Sequence, residues 1–162
     1  MTIRYRLIEG FAPVVHEKGD WIDLKSAGTY FLSKPDPAHE IMFDSTLISL
    51  GIAIELPKGF EAIIAPRSSL FKNKGVILAN SIGVIDNSYS GNDDIWKFHA
   101  IALKSTVIER GERICQFRIQ PSQKASTWIK LRWLFVRKIT FKQVSSLKST
   151  NRGGIGSTGG YK

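Results

Sequence analysis

Short apolar runs, each bounded by Gly, Pro, Asn or Asp, recur along the whole chain and point to β-structure throughout. Leu47–Glu55, Gly59–Ala65, Gly75–Ala79, Phe98–Leu103 and Arg113–Gln120 are the clearest of them. Turn signals fall at roughly ten-residue spacing, as they do in sandwiches and barrels. In Leu47–Glu55 the two alternating sets are both largely apolar: Leu47, Ser49, Gly51 and Ala53 against Ile48, Leu50, Ile52 and Ile54. That suits a strand covered on both faces. Pro57-Lys58-Gly59 reads as a turn between two strands. With 162 residues, the chain makes one domain with a real core, expected over 1–150, followed by a glycine-rich tail over 151–162.

Charge is distributed unevenly. The net charge is +9, yet residues 113–162 hold eleven Lys and Arg and no acid, while the first 112 residues are close to neutral. Some of that charge suits a polyanionic ligand, but eleven bases exceed what one ligand needs. No uncharged apolar run approaches the ~20 residues of a membrane helix, and Met1-Thr2-Ile3-Arg4-Tyr5-Arg6 shows no signal-peptide core. The single cysteine, Cys115, lies in an apolar strand-like run and is read as a buried small residue. Together these features lead us to expect a protein of a reducing cytoplasm.

Pro66 to Gly91 carries the chemistry. Arg67, Ser68 and Ser69 put a guanidinium fork beside two hydroxyls, a set that can grip phosphate oxygens. Asp86 follows in Gly83-Val84-Ile85-Asp86-Asn87-Ser88-Tyr89-Ser90-Gly91, a strand running into a turn and then an aromatic ring. A carboxylate and a flat ring at a hairpin, downstream of a phosphate grip, suggest a site for a phosphorylated nucleoside. Taken singly, each piece reads as surface loop or plain hairpin; their order and spacing are what raise them above that.

In that order they resemble the second and third motifs of the trimeric deoxyuridine triphosphatases (dUTPases). Gly19-Asp20-Trp21-Ile22-Asp23-Leu24 is similar to the first motif at Asp23 and Leu24, though it departs from it at the preceding residues. Gly111-Glu112-Arg113-Ile114-Cys115-Gln116-Phe117 resembles the fourth, and Asn151 to Gly159 the fifth, the glycine-rich arm. The first-motif variant and the compact chain look like the phage and prophage members.

The resemblance implies an all-β, distorted jelly-roll β-barrel, assembled as a homotrimer whose glycine-rich C-terminal arm is exchanged between subunits. It implies hydrolysis of dUTP to dUMP and pyrophosphate, with Mg2+ on the triphosphate and water-mediated contact from Asp23. Asp86 is the implied base for the attacking water. Arg67, Ser68, Ser69 and Gln116 would bind phosphates; Asn80 and the backbone of Gly83, Val84 and Ile85 would read uracil; Tyr89 would lie under the deoxyribose. Arg152 would reach the terminal phosphates, and Gly153, Gly154, Ile155, Gly156, Ser157 and Thr158 would close over the ligand. Two departures stand out: Ile155 occupies a place commonly aromatic, and Arg152 stands close to the glycine pair, so weaker stacking and altered closure are expected.

Ser122–Lys138 breaks the strand rhythm, packing Trp128 and Trp133 among Lys124, Lys130, Arg132, Arg137 and Lys138. As a strand it places Ile129, Leu131, Trp133 and Phe135 on one side. As a helix, the preferred reading, it aligns Trp128, Leu131 and Phe135 ahead of a strand over Ile139–Val144. It is read first as a basic amphipathic piece packed on the barrel, and second as a contact for nucleic acid or an acidic protein. Two other functions compete with dUTP hydrolysis. One is the dCTP deaminase branch of the same superfamily, whose glutamate after the hairpin is missing here, with Asp93 or Asp94 as stand-ins. The other is a regulatory binding protein on this scaffold that uses the basic insertion.

Overall fold

The computed structural model describes residues 1–15, 19–36, 38, 45–136 and 138–153. The chain begins with β1 (Thr2–Leu7), β2 (Val14–Val15), β3 (Ile22–Lys25) and β4 (Tyr30–Leu32), then β5 (Ser45–Ser49), β6 (Ile52–Glu55) and β7 (Phe60–Pro66). A short helix, α1 (Ser68–Lys74), leads into β8 (Val76–Leu78), β9 (Gly83–Asp86), β10 (Lys97–Ala102) and β11 (Thr106–Ile108). The long β12 (Arg113–Pro121), a second helix α2 (Thr127–Trp133) and β13 (Thr140–Gln143) complete the order. Among the described residues four sheets form, ordered β13-β1-β6, β5-β10-β8, β11-β4 and β2-β3-β12-β7-β9. Every pairing between these strands is antiparallel except that of β1 with β13. The all-β expectation holds.

Alternation sets the core. Along β12, Ile114, Cys115, Phe117 and Ile119 are buried while Arg113 and Arg118 are exposed, and β10 buries Phe98, Ala100 and Ala102 in strict alternation. A chain of edge-to-face rings ties separate sheets together: Trp96 on Phe117 at 5.1 Å, Phe117 on Phe141 at 6.0 Å, Phe141 on Tyr5 at 6.4 Å. Trp96 and Phe117 are both fully buried, so truncating either to Ala costs about 3–5 kcal/mol.

Leu47–Glu55 reads as one strand in sequence, but it is two. The chain turns at Leu50-Gly51, where Gly51 has φ 62° and a Cβ would fall 2.3 Å from the Gly10 nitrogen. Only glycine fits that left-handed corner, and β5 and β6 therefore leave in different sheets. The helix α1 was not anticipated either. Its stop signal is conventional: Gly75 takes φ 67° and its N–H returns to the Phe71 carbonyl, with Lys72 and Lys74 in the last turn.

The basic insertion is helical at Thr127–Trp133. Ser126 caps it, accepting from the Ile129 N–H at 3.3 Å. The face that packs on the barrel carries Ile129 and Trp133, one turn apart. Trp133 meets Phe60 edge-on at 5.4 Å, and Ile129 lies so close to Gly59 that a Cβ there would come 2.6 Å from its Cδ1. Trp128, Leu131, Leu134 and Phe135 remain exposed. The following strand is shorter than Ile139–Val144, running Thr140–Gln143.

Candidate active site

Three strands carry the first cluster. Asp23 on β3 stands opposite Gln116 on β12, which stands opposite Ala65 on β7. Directly paired residues of antiparallel strands share a face, and the residue two further along shares it again. Arg67, two beyond Ala65 and still extended at φ −68° and ψ 145°, therefore points back over the same face. Its Nε lies 3.1 Å from Asp23 Oδ2, and Arg113 approaches the same oxygen at 3.4 Å. Asp23 is 3% exposed, so the two guanidinium groups compensate its burial. Ser68 and Ser69 open α1, which has no side-chain cap. One small area thus gathers Arg67, Ser68, Ser69, Gln116 and Asp23. Arg113 escaped the sequence reading, although its place two residues before Cys115 in the fourth motif was a usable signal.

The buried Cys115 thiol sits beneath this cluster. Burial, and then the charge of Asp23, push its pKa well above the ordinary thiol value. It is a packing residue, as expected, and not a nucleophile at neutral pH.

The second cluster is the hairpin. β9 is the edge strand of its sheet, paired on one side with β7, so alternate N–H and C=O groups of Gly83, Val84 and Ile85 face away from the sheet. Asn80 stands exposed in the preceding turn, where Ser81 adopts φ 60° and the Ile82 N–H donates to the Asn80 carbonyl at 2.6 Å. Asp86 ends β9 with its side chain exposed. The Tyr89 N–H donates to the Asp86 carbonyl at 3.0 Å, and the Tyr89 hydroxyl donates to the Ile95 carbonyl at 2.9 Å. That fixes the ring in the loop, and burial, with a further contribution from Asp94, raises the hydroxyl's pKa.

The root of the tail lies on this hairpin in the same chain. The Arg152 guanidinium is 2.9 Å from the Asp86 carboxylate. The backbone N–H groups of Arg152 and Gly153 donate to Asp94, and Asn151 bonds Asp93. Gly154, Ile155, Gly156, Ser157 and Thr158 lie outside the described residues. Asp94 is 1% exposed with its oxygens occupied by backbone donors, and Asp93 accepts from Asn151 at 2.6 Å. Asp94 therefore does not stand free as the proton carrier a deaminase requires.

The two clusters do not meet within one chain. Asp86 pairs with Glu61 at one end of β7, whereas Arg67 follows the other end. The offset from Glu61 to Arg67 corresponds to about 20 Å of extended chain. Among the described residues no three His, Cys, Asp or Glu side chains gather to hold a metal ion. No helix among them is long and apolar enough to cross a membrane.

Comparison with known proteins finds one family along most of the chain. The dUTPase family model matches residues 24–159. The SPbeta prophage-derived deoxyuridine 5'-triphosphate nucleotidohydrolase of Bacillus subtilis is 45% identical over 143 residues, covering 88% of this chain and 86% of that protein. Among solved structures, the dUTPase from Streptococcus mutans aligns with a TM-score of 0.64 at 24% identity, over 75% of this chain and 98% of that one. A variant of the dUTPase from phage phi11 of S. aureus, described with a structural Mg(II) ion, aligns at 0.62 and 17% identity over 76% and 93%. The matched span takes in four of the five motif regions whole and enters the first at Leu24, and the chain belongs to the dUTPase family.

Proposed function

We propose that this chain is a dUTP nucleotidohydrolase, releasing dUMP and pyrophosphate, and that it works as a homotrimer. Family membership carries the reading, and the placement of the motif residues supports it. A water oxygen attacks the α-phosphorus, the bond from that phosphorus to the α–β bridging oxygen breaks, and pyrophosphate leaves. Asp86, exposed at the end of an edge strand, takes the proton of that water. Arg67, held by Asp23, meets the phosphate charge, with Ser68, Ser69 and the Gln116 amide completing the contacts. Outward backbone groups of Gly83, Val84 and Ile85, with Asn80, pair with uracil, and a base presenting the wrong pattern leaves them unsatisfied. The Tyr89 ring lies beneath the deoxyribose and excludes a 2′-hydroxyl.

Separation of Arg67 from Asp86 along one sheet supports the trimer, because a neighbouring copy has to bring its hairpin to Arg67. Arm residues Gly154, Ile155, Gly156, Ser157 and Thr158 then close the site. The donor set fits Mg2+ arriving on the triphosphate better than a protein cage, since Mg2+ keeps most of its water and takes few carboxylates. Bound there, the ion would neutralise phosphate charge, and Asp23 would contact it only through water. The basic insertion favours a second, added role: Trp128, Leu131, Leu134 and Phe135 are exposed beside Lys124, Lys130 and Arg132. Contact with nucleic acid or an acidic protein would appear as salt-dependent binding lost on deleting residues 123–138.

The deciding assay is pyrophosphate release with magnesium from dUTP, dTTP, dCTP and UTP, for the wild type beside Asp86→Asn. Turnover confined to dUTP and lost in the variant supports the reading. Ammonia release from dCTP moves the chain to deamination, and silence on all four nucleotides from a folded protein sinks the enzymatic reading.

A further inference from the structure

The register of β12 against β3 slips between Arg113 and Cys115, and Ile114 and Cys115 are both buried. That bulge returns Arg113 to the outer face, directly opposite Lys25 and on the side of Asp23. The Arg67 N–H donates to the Ile114 carbonyl at 3.1 Å. Arg67, Arg113 and Lys25 therefore lie abreast, at steps of about 4.8 Å from strand to strand. Like charges placed side by side on a sheet repel one another. Asp23 offsets the two arginines, at 3.1 Å from Arg67 and 3.4 Å from Arg113. Lys25 has no carboxylate within ion-pair distance among the described residues. Its Nζ rests instead over the Phe11 ring, 5.2 Å from the centroid. Arg110 takes the same ring at 4.8 Å, its guanidinium donating to the Glu9 carbonyl at 3.2 Å. Gly111, at φ 84°, admits the ring: a Cβ there would lie 3.3 Å from Phe11 Cζ. A ring face holds an ammonium less strongly than an anionic oxygen does.

We propose that Lys25 is a binding residue for the pyrophosphate half of the substrate, with Arg110 adding positive charge behind it. The inference rests on the dUTPase reading above. Arg67, Ser68, Ser69 and Gln116 form one end of the phosphate site, and the row of cations leads from there to Lys25. Its four-carbon stem lets the ammonium leave Phe11 for a phosphate oxygen, and Arg110 stays on the ring. The contact is with the β- and γ-phosphates, which a monophosphate lacks. Lys25 thereby favours a triphosphate over dUMP and shares in holding the pyrophosphate until it leaves.

Calorimetric binding of inorganic pyrophosphate with magnesium tests this in the full chain, for wild type, Lys25→Met and Lys25→Arg. Met keeps an unbranched stem and removes the charge; Arg restores the charge. Lys25→Met is expected to weaken pyrophosphate by about tenfold and to raise the KM for dUTP by as much. Affinity for dUMP should stay within about twofold of wild type, and Lys25→Arg should recover most of the loss. Unchanged pyrophosphate affinity in Lys25→Met overturns the proposal. So does an equal loss for dUMP, which marks a general disturbance of the site. Phe11→Leu separates packing from charge, because it removes the ring and leaves the ammonium. That variant should bind pyrophosphate within about twofold of wild type; a loss as large as that of Lys25→Met assigns the cluster to packing and overturns the proposal. A wild type that hydrolyses dUTP but binds pyrophosphate no better than Lys25→Met loses this proposal alone. A wild type silent on dUTP that still holds pyrophosphate through Lys25 loses the function reading and keeps the anion site.

Discussion

Arg67 reaches Asp23 with 3.1 Å between Nε and Oδ2, bridging the three neighbouring strands β3, β12 and β7. The carboxylate side chain is 4% exposed and the guanidinium 29%. The pair therefore sits at the boundary between core and solvent, where the acid is fixed and the base can still meet a ligand. Asp23 in this position fixes the direction of Arg67.

Replacing Asp23 with Ala takes the anchor from Arg67. Because the arginine is partly solvated, the stability loss is expected at about 1–3 kcal/mol, below that of a fully buried pair. The kcat/KM for dUTP should fall by about tenfold or more as Arg67 loses its fixed direction. Urea denaturation read beside pyrophosphate release checks both, and retained kcat/KM in a destabilised variant would assign Asp23 a purely structural role.

Alkaline pH should weaken the fold through two groups with the same sign. The Tyr89 hydroxyl and the Cys115 thiol both have raised pKa values in the folded chain, chiefly from burial. Above their ordinary values of 10.0 and 9.0 the unfolded chain gives up protons that the folded chain keeps, so stability falls as pH rises. Tyr89→Phe should flatten the part of this fall that begins near 10.0. At neutral pH the variant should lose about 1 kcal/mol with the bond to the Ile95 carbonyl. Denaturation midpoints for both proteins across that range measure it; parallel curves would contradict the assignment.

Gly59→Ala should loosen the basic insertion without touching the chemistry. Gly59 has φ 82°, and an added Cβ meets Ile129 of α2. We expect a loss of about 1–3 kcal/mol and easier proteolysis between residues 123 and 136, with turnover of dUTP unchanged. Limited proteolysis followed by mass analysis gives the answer, and protection equal to wild type would show that α2 is held by other contacts.

Strand positions in β7, β8, β10 and β12 were legible because their apolar alternation is local and the turn residues bracket it. The pairing of Arg67 with Asp23 was not, since register across three strands depends on residues separated by up to 90 positions, as in the Arg113–Asp23 contact. The split of Leu47–Glu55 hid in a single glycine whose conformation is set by Gly10, far upstream. Asp94 read as one of two interchangeable acids after the hairpin. Only the return of the chain 58 residues later distinguishes it, burying Asp94 and leaving Asp93 exposed. α1 is hidden because its seven residues bury Leu70 alone, so no apolar period marks the helix and Gly75 is its one local signal.

β1 has both of its neighbours far ahead of it in the chain, β6 in antiparallel register and β13 in parallel. During synthesis at about 5–20 residues per second, the first strand waits on the order of ten seconds for the last. Through that interval one edge of the nascent sheet offers open hydrogen-bonding groups to any other emerging polypeptide. Arg4 and Arg6, set along that strand between Ile3, Tyr5 and Leu7, place positive charge on the waiting edge and keep it from recruiting a stranger before its own partner arrives.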